Sequence, residues 1–314
     1  MNFTKIVKQC RIDKPKHFKL ADYDPGETFG LSTDGEEVHT ILTEGIKKLT
    51  DLQQRLFASG EFAVLIVFQG MDAAGKDSVV KHVMSGINPQ GCEVHAFKAP
   101  STEELEHDFL WRTGKDVPAR GRIGIFNRSH YEEVLVVRVH PELLAKQKLP
   151  PIATGKDIWD NRFKDIRAFE HHLVRNGTLV LKFHLHISKE EQRKRFLARL
   201  EEPFKRWKFS EHDIAERARW DDYMAAYQEL IRETSTDYAP WYVVPADHKH
   251  VTWLVVSAAI IEALEALKLQ YPTVSGKALD ELKACEAALK AEEPAPKTSA
   301  AKTSAPKKSR RKRR

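Results

Sequence analysis

The chain has 314 residues, of which 41% are hydrophobic and 31% charged, a composition typical of a globular protein with one large domain or two small ones. No stretch approaches the roughly 18–20 apolar residues of a membrane-spanning helix, and the N-terminus lacks the continuous apolar segment of a secretory signal. Cys10, Cys92 and Cys285 are far apart and lack paired metal-type spacing, so we expect a reducing, cytoplasmic location.

The net charge of +6 belongs to the C-terminus. Residues 292–314 carry nine Lys or Arg and two Glu, whereas the other 291 residues carry 42 basic and 43 acidic side chains. This tail has almost no large apolar side chains, which predicts disorder. Its final KKSRRKRR favours non-specific binding of a polyanion, and a merely solubilising tail is the alternative.

The body of the chain alternates helical and strand patterns. From about residue 36, apolar residues recur every three or four positions until Gly60, which predicts a helix. Short apolar runs of the kind found in buried strands follow at Phe62–Phe68, Glu93–Phe97, Arg122–Phe126, Thr178–Ile187 and Trp241–Pro245. We therefore predict an α/β fold with a doubly wound parallel sheet of about five strands over residues 36–291, preceded by an extension at 1–35.

Two helix starts are marked after the fourth predicted strand. Ser188 precedes Glu191, and Ser210 precedes Asp213, both at the spacing of a capping box. These signals predict helices at about 188–200 and 211–234, joined by a loop with the sequence EEPFKRWKFS. We define residues 188–234, two helices joined by a loop, as the candidate lid.

A phosphate-binding loop follows the first predicted strand. The sequence GMDAAGKDS at 70–78 matches the pattern GxxxxGK, and a helical stretch follows it. Glycines let backbone N–H groups surround a phosphate, and a helix N-terminus adds positive potential. We predict phosphate contacts from Gly70, Ala73, Ala74, Gly75, Lys76, Asp77 and Ser78. A glycine-rich turn that serves packing alone is the alternative, which the preceding apolar strand disfavours.

Two acidic residues distinguish this loop. Asp77 replaces the hydroxyl residue that usually follows the lysine and coordinates magnesium, and Asp72 adds a carboxylate inside the loop. Carboxylates beside a phosphate site are repulsive unless a metal ion intervenes. We therefore predict Mg²⁺ held by Asp72 and Asp77. For Asp77, an acid that stabilises the helix N-terminus is an equal alternative.

The third predicted strand ends in the sequence FNRSHYEE at 126–133. P-loop enzymes commonly carry a magnesium-orienting aspartate at this position, where this chain has Asn127. Arg128 follows and is predicted to stabilise charge on a transferred phosphoryl group, which makes Asp72, Lys76 and Arg128 the candidate catalytic set. For His130 we predict a structural or hydrogen-bonding role, because transfer to a phosphate needs no general base.

The candidate lid is strongly basic. Its cations are Arg193, Lys194, Arg195, Arg199, Lys205, Arg206 and Lys208, of which Arg195 and Arg199 share a helix face. A solvated charged face is the usual explanation of such a run. Its position after the fourth strand instead favours binding of a polyanionic substrate by Arg195, Arg199, Lys205, Arg206 and Lys208.

Several motifs in order resemble the polyphosphate kinase 2 family. They are GMDAAGKD, NPQGCEV, FKAP, HDFLWR, FNRSHYEEVLVVRVH, RWKFS and DYAPWYVVPADHK, and together they extend from about residue 15 to about residue 272. The loop and the strand end are most similar to the class III branch. That resemblance implies transfer from inorganic polyphosphate to AMP and ADP with magnesium, nucleotide contacts from Asn127 and Glu132, and a homo-oligomer, often a tetramer. Asn127 replaces an Asp of other branches, which weakens a metal-ligand role there.

Two other functions fit parts of the sequence. An ATP-dependent nucleotide or nucleoside kinase on the same fold predicts an adenine-binding donor site and no turnover with polyphosphate alone. A polyanion- or nucleic-acid-binding protein that uses the basic tail predicts loss of its main activity when residues 292–314 are deleted. Polyphosphate, AMP, ADP and ATP are therefore the expected partners, with no membrane and with nucleic acid bound only non-specifically.

Overall fold

A computed structural model describes residues 3–31 and 35–292. Five parallel strands form one sheet in the order β2-β3-β1-β4-β5. Their bounds are β1 Ala63–Gln69, β2 Cys92–Ala96, β3 Ile123–Asn127, β4 Thr178–His186 and β5 Trp241–Pro245. The doubly wound parallel sheet is therefore confirmed, and each strand lies within one residue of its predicted bounds.

The central strands bring two predicted motifs to one edge of the sheet. All seven residues of β1 are buried, as expected of a strand covered by helices on both faces. In the parallel pairing of β1 with β3, Phe68 is opposite Asn127. The loop at residue 70 and the segment at residue 128 therefore leave neighbouring strands side by side, at the point where the strand order reverses and ligands bind in such folds.

Helices cover both faces of the sheet. Their bounds are α1 Phe3–Cys10, α2 Gly35–Ser59, α3 Lys76–Val83, α4 Thr102–Glu106, α5 Trp111–Gly114, α6 Val136–Val139, α7 Pro141–Ala145, α8 Ile158–Arg175, α9 Lys189–Glu201, α10 Glu211–Ala218, α11 Trp220–Thr234, α12 Lys249–Ala266 and α13 Lys277–Ala291. The long helix α2 packs against α12, which has buried side chains along its whole length.

The predicted helix at 211–234 is wrong in one respect, because it is interrupted at Arg219. The exposed helix α10 ends there and α11 begins at Trp220, which is buried together with Tyr223. Arg219 donates a side-chain hydrogen bond to the carbonyl oxygen of Val139 at 3.2 Å. The helix is interrupted at this residue, and α11 beyond it buries its apolar face. The predicted loop before α10 also contains a short 3-10 helix, Pro203–Lys208.

The N-terminal residues cover the outer edge of β5. The N–H of Ile12 donates to the carbonyl oxygen of Trp241 at 2.9 Å, and Arg11 forms an antiparallel bridge with Tyr242. Ser235 donates from its hydroxyl group to the carbonyl oxygen of Ile12 at 3.0 Å. An uncovered strand edge would be open to pairing with another chain, so this segment protects that side of the sheet.

The chain divides into two compact units, residues 1–271 and 272–314. Of the second unit the structure describes residues 272–292, and its helix α13 has no buried residue. The disorder predicted for the basic tail concerns residues that lie, apart from Glu292, outside the described part of the chain. None of the helices described is both long and apolar enough to cross a membrane.

Candidate active site

The loop between β1 and α3 has the backbone that its glycines predict. Gly70 has a φ of +153°, and a Cβ atom placed there would lie only 2.7 Å from the carbonyl oxygen of Leu185. Gly75 has a φ of +107°, and Ala73 also adopts a left-handed conformation with a φ of 63°. The loop therefore makes a tight turn directly against the end of β4 and leads into the N-terminus of α3 at Lys76.

Lys76 is folded back into this loop. Its Nζ donates to the carbonyl oxygens of Gly70 at 2.6 Å and Met71 at 3.1 Å, and only 9% of the residue is exposed. Burial and the nearby charge of Arg128 lower the pKa of Lys76 to about 8, against the opposing effect of Asp72. The loop thus contains a nearly buried amine in a position where an anion would stabilise its charge.

Arg128 joins the end of β3 to the loop. Its Nη2 donates to Oδ1 of Asp72 at 2.6 Å, and its Nη1 lies 3.7 Å from Oε2 of Glu132. Glu132 and Asp72 raise the pKa of Arg128, so its positive charge is firmly retained. Arg128 has a φ of 63°, an uncommon conformation for a side chain of this size, which its surroundings impose.

A second contact between the two segments involves Asn127. Its Nδ2 donates to Oδ1 of Asp77 at 2.7 Å, across 50 positions of the sequence. Glu132 is partly buried, and desolvation raises the pKa of its carboxyl group although Arg128 and Lys76 oppose that effect. The structure therefore brings Asp72, Lys76, Asp77, Asn127, Arg128 and Glu132 into one cluster, and their predicted roles remain predictions.

The carboxylates of this cluster suit a metal ion only in part. The described residues contain no group of three or more His, Cys, Asp or Glu side chains placed to hold one. Asp72 and Asp77 each use Oδ1 in the contacts above. Mg²⁺ is commonly held by one or two carboxylates together with the phosphates of a substrate. Asp72 and Asp77 fit that arrangement, with substrate oxygens completing the coordination.

Arg195 is beside the loop but its guanidinium group is fully engaged. Nη1 donates to the carbonyl oxygens of Ala73 at 2.9 Å and Ala74 at 3.2 Å, and Nη2 donates to those of Ala246 at 2.6 Å and Asp247 at 3.0 Å. The residue is 9% exposed. In this structure Arg195 holds the loop through its backbone oxygens, and its Nε donates to the carboxylate of Glu191 at 2.8 Å.

The other predicted lid cations follow Arg195 in the chain and contact residues of the candidate lid itself. Arg199 is 3.9 Å from Asp213, Lys205 is 2.5 Å from Glu202, Arg206 donates to the carbonyl oxygen of Leu200 at 2.8 Å, and Lys208 lies over the ring of Trp207. Burial raises the pKa of the Asp213 carboxyl group, and Asp72 raises it further. Arg217 of α10 donates to Oε1 of Gln192 at 2.9 Å, and Gln192 donates to the carbonyl oxygen of Asp72 at 3.0 Å, which connects α10 to the loop.

Sequence reasoning missed a buried network behind Arg128. The Nζ of Lys182 donates to Glu170 at 2.6 Å, to the carbonyl oxygen of Thr234 at 2.7 Å and to the hydroxyl oxygen of Tyr131 at 3.0 Å. That hydroxyl group itself donates to Glu170 at 2.6 Å. A lysine within the apolar run of β4 was the available signal, since a buried lysine needs a partner. The network fixes Tyr131, three residues after Arg128.

His130 is buried inside the protein, although it lies only two residues after Arg128 in the chain. The ring is 1% exposed, and neither nitrogen atom has a hydrogen-bond partner. Burial, followed by the charge of Lys182, lowers the pKa of His130 to about 3. The imidazole is therefore neutral and inside the protein, with its ring against Tyr131 and Phe169.

Comparisons with known proteins agree with this geometry. A family model described as polyphosphate kinase 2 matches residues 32–272. An ADP-polyphosphate phosphotransferase of Rhodopseudomonas palustris is 53% identical over 85% of this chain and 92% of its own length. An AMP/ADP-polyphosphate phosphotransferase of Meiothermus ruber is 44% identical over 85% and 96% of the two chains. The crystal structure of polyphosphate kinase 2 from Arthrobacter aurescens TC1 is 38% identical, covers 91% of this chain and 97% of its own, and superposes with a TM-score of 0.81.

Proposed function

The chain belongs to the polyphosphate kinase 2 family, and from that premise we propose that it transfers phosphoryl groups from inorganic polyphosphate to ADP and to AMP with the help of Mg²⁺. It is a phosphotransferase, and transfer to ADP yields ATP. The observation that carries the assignment is the convergence of Lys76, Asp72 and Arg128 at the adjoining ends of β1 and β3. The reverse reaction, polyphosphate synthesis, uses the same site.

The reaction proceeds by direct in-line transfer. The backbone N–H groups of residues 70–76 and the amine of Lys76 bind the phosphates, and anion binding favours the charged form of that amine. Arg128 stabilises the charge that develops on the transferred phosphoryl group, once its pairing with Asp72 is exchanged for substrate. Asp72 and Asp77 would hold Mg²⁺, which would supply further neutralisation of negative charge on the phosphates.

Residues 188–234 are proposed to act as a lid over the phosphates. The cations Arg199, Lys205, Arg206 and Lys208 are the proposed polyphosphate contacts, and Ser78, Asn127 and Glu132 are proposed contacts around the nucleotide phosphates. Closure would exclude water, which otherwise competes as the phosphoryl acceptor. The family resemblance is also what supports assembly of several copies of this chain and a cytoplasmic location.

The test measures nucleotide products by chromatography. Purified protein receives long-chain polyphosphate, Mg²⁺ and either AMP or ADP, without ATP. We expect ADP and ATP from AMP, and ATP from ADP. Lys76→Ala should abolish both reactions, whereas Lys81→Ala, which removes an exposed lysine from the same helix, should leave them unchanged.

Other outcomes would identify the alternatives. Formation of ATP from ADP, without any product from AMP, would agree with the polyphosphate-dependent reaction and would restrict its acceptor to ADP. Turnover that requires ATP as donor would establish the ATP-dependent kinase and overturn the assignment of polyphosphate. Loss of the main activity on deletion of residues 292–314, with the loop intact, would instead favour a polyanion-binding function of the tail.

A further inference from the structure

The two edges of the sheet differ in how they are covered. At the outer edge of β5, Arg11 and Ile12 pair with the strand. The other edge is β2, Cys92–Ala96, which pairs with β3 on one side only. Apart from β3, the described element that packs most closely on β2 is the short 3-10 helix Pro89–Gly91, which directly precedes it in the chain. β2 contains neither lysine nor proline, the residues that commonly protect an exposed edge.

The pairing with β3 determines which backbone groups of β2 point outward. The N–H of Phe97 donates to the carbonyl oxygen of Asn127 at 3.1 Å, so Phe97 directs its backbone groups towards β3. Successive residues of a strand direct their N–H and C=O groups to opposite sides, and Cys92, Val94 and Ala96 therefore direct theirs away from the sheet. Among the described residues, none forms a hydrogen bond with the N–H or C=O group of Val94 on that side.

The side chains of β2 match those of a second, antiparallel copy. Val94 is 54% exposed. Glu93 and His95 lie on the opposite face of the strand, with Oε2 of Glu93 3.8 Å from Nε2 of His95. When Val94 stands opposite the Val94 of a second copy, each Glu93 stands opposite the partner's His95, and the two valines meet on the other face. Opposite charges at facing positions stabilise an antiparallel pair, and an imidazole opposite a carboxylate provides them when it is protonated.

The neighbouring registers lose this match. Centring the pair on Glu93 places two carboxylates opposite each other, and like charges at such positions are destabilising. Centring it on His95 removes the facing carboxylate from both imidazoles. In the register centred on Val94, the outward N–H and C=O groups of the two valines bond reciprocally, and those of Cys92 bond to those of Ala96. The backbone and the side chains therefore favour the same arrangement.

The surroundings of this edge carry little net charge. Arg122 donates to the carboxylate of Glu93 at 2.6 Å, and Asp116 lies 3.4 Å from Nδ1 of His95. Phe57 of α2, which is 45% exposed, lies beside the turn that precedes β2. Two copies that meet here would therefore face weak electrostatic repulsion, and each would bring an additional apolar side chain to the contact.

We propose that β2 is a dimerisation edge, at which two copies of this chain pair antiparallel about Val94 and join their sheets into one. A contact of a surface with itself has two-fold symmetry and closes after two copies, so it produces a defined dimer and leaves this strand edge covered. The inference goes beyond the proposed function, since it concerns assembly and needs no substrate. It identifies the surface through which two copies meet.

The first test is disulfide formation across the two-fold axis. Val94→Cys is placed in a chain with Cys92→Ser and Cys285→Ser, in which the buried Cys10 is the other cysteine that remains. Cα atoms at a hydrogen-bonded position of an antiparallel pair are about 5.5 Å apart, which a disulfide spans. Lys98→Cys in the same background is the matched control, because the two copies of this exposed residue would lie about 27 Å apart at about 3.4 Å per residue. We expect mild oxidation to link most Val94→Cys chains into a covalent dimer and to leave Lys98→Cys chains unlinked.

Val94→Pro tests the contribution of the backbone. Proline removes the outward N–H group of residue 94 and leaves the bonds of β2 to β3 in place, because those come from the alternate residues. Val94→Thr, which retains the N–H group and a β-branched side chain, is the control. Sedimentation velocity at micromolar concentration should show the wild type and Val94→Thr at one mass and Val94→Pro at half of it, with unchanged circular dichroism spectra.

Three results would overturn the dimerisation edge. They are a wild-type protein that is monomeric, cross-linking of Val94→Cys no greater than that of Lys98→Cys, and a folded Val94→Pro protein that keeps the wild-type mass. Neither readout involves turnover. A wild-type protein that assembles as expected but transfers no phosphate from polyphosphate would therefore refute the proposed function and leave this inference intact.

Discussion

The buried pair of Lys182 and Glu170 allows a quantitative prediction. The two side chains are 0% and 1% exposed and 2.6 Å apart. Lys182→Met keeps the length of the side chain but leaves the carboxylate of Glu170 buried without its cation. Removing one partner of such a pair costs about 3–5 kcal/mol, a large part of the roughly 5–15 kcal/mol that stabilises a typical domain.

The double variant Lys182→Met/Glu170→Gln separates the charge effect from packing. Glu170→Gln removes the stranded charge and keeps an oxygen atom that accepts from the hydroxyl group of Tyr131. We expect the double variant to recover about 2–3 kcal/mol of the loss, because neutral replacements of a buried pair are often tolerated. The free energy of unfolding is measured by urea denaturation followed by tryptophan fluorescence.

An exposed ion pair supplies the control. Lys48 lies 2.7 Å from Glu265, with both side chains about half exposed. Lys48→Met should change the free energy of unfolding by no more than about 1 kcal/mol, because solvent screens such pairs. A loss of unfolding free energy in Lys182→Met no larger than that in Lys48→Met would contradict the stabilising role of the Lys182–Glu170 pair. The same conclusion would follow if the double variant lost as much as Lys182→Met and Glu170→Gln lose when measured separately and added.

Two further predictions follow from the site. Gly70→Ala would press a Cβ atom against the carbonyl oxygen of Leu185 and displace the loop, so we expect kcat to fall by about 100-fold in a steady-state assay. Gly114→Ala is the control and should leave kcat unchanged, because a Cβ atom there meets nothing within 4 Å. The pKa of His130, about 3 in the folded protein, lies below its unfolded value of about 6.5, so its stabilising effect is complete above pH 6.5 and is lost as the pH falls towards 3. Between pH 7.5 and 5 this residue should account for about 2 kcal/mol of the lost free energy of unfolding. Urea denaturation of His130→Leu should therefore show a decrease in that free energy about 2 kcal/mol smaller than in the wild-type protein. Equal decreases in the variant and the wild type would refute the role of His130.

The strands could be predicted from the sequence because each is marked by the apolar side chains of its own few residues. The buried run at 241–245 was delimited correctly from its apolar side chains alone, and the loop at 70–76 follows from its glycines and lysine. The break at Arg219 was not predictable, since a buried Trp220 and a contact with Val139 decide it. Local periodicity continues unchanged through that residue.

Contacts between residues far apart in the chain also decide which role each predicted site residue has. Arg195 and Arg199 look alike on a helix face, but only Arg195 reaches the carbonyl oxygens of the loop more than 120 positions away. The pairing of Arg128 with Asp72 spans 56 positions. The sequence indicates which residue types meet at the strand ends, and the tertiary packing decides which hydrogen bonds each of them forms.

The hydrogen bonds of α9 and α10 limit how the proposed lid could move. Gln192 donates to the carbonyl oxygen of Asp72 at 3.0 Å, and Arg195 binds the next two residues, so the first half of α9 is a rigid base. Arg217 of α10 donates to the carbonyl oxygen of Lys189 at 2.6 Å and to Gln192 at 2.9 Å, so α10 is joined to the same base. Closure of the proposed lid would therefore have to break these bonds of α10, while Gln192 and Arg195 would keep the floor of the site in place.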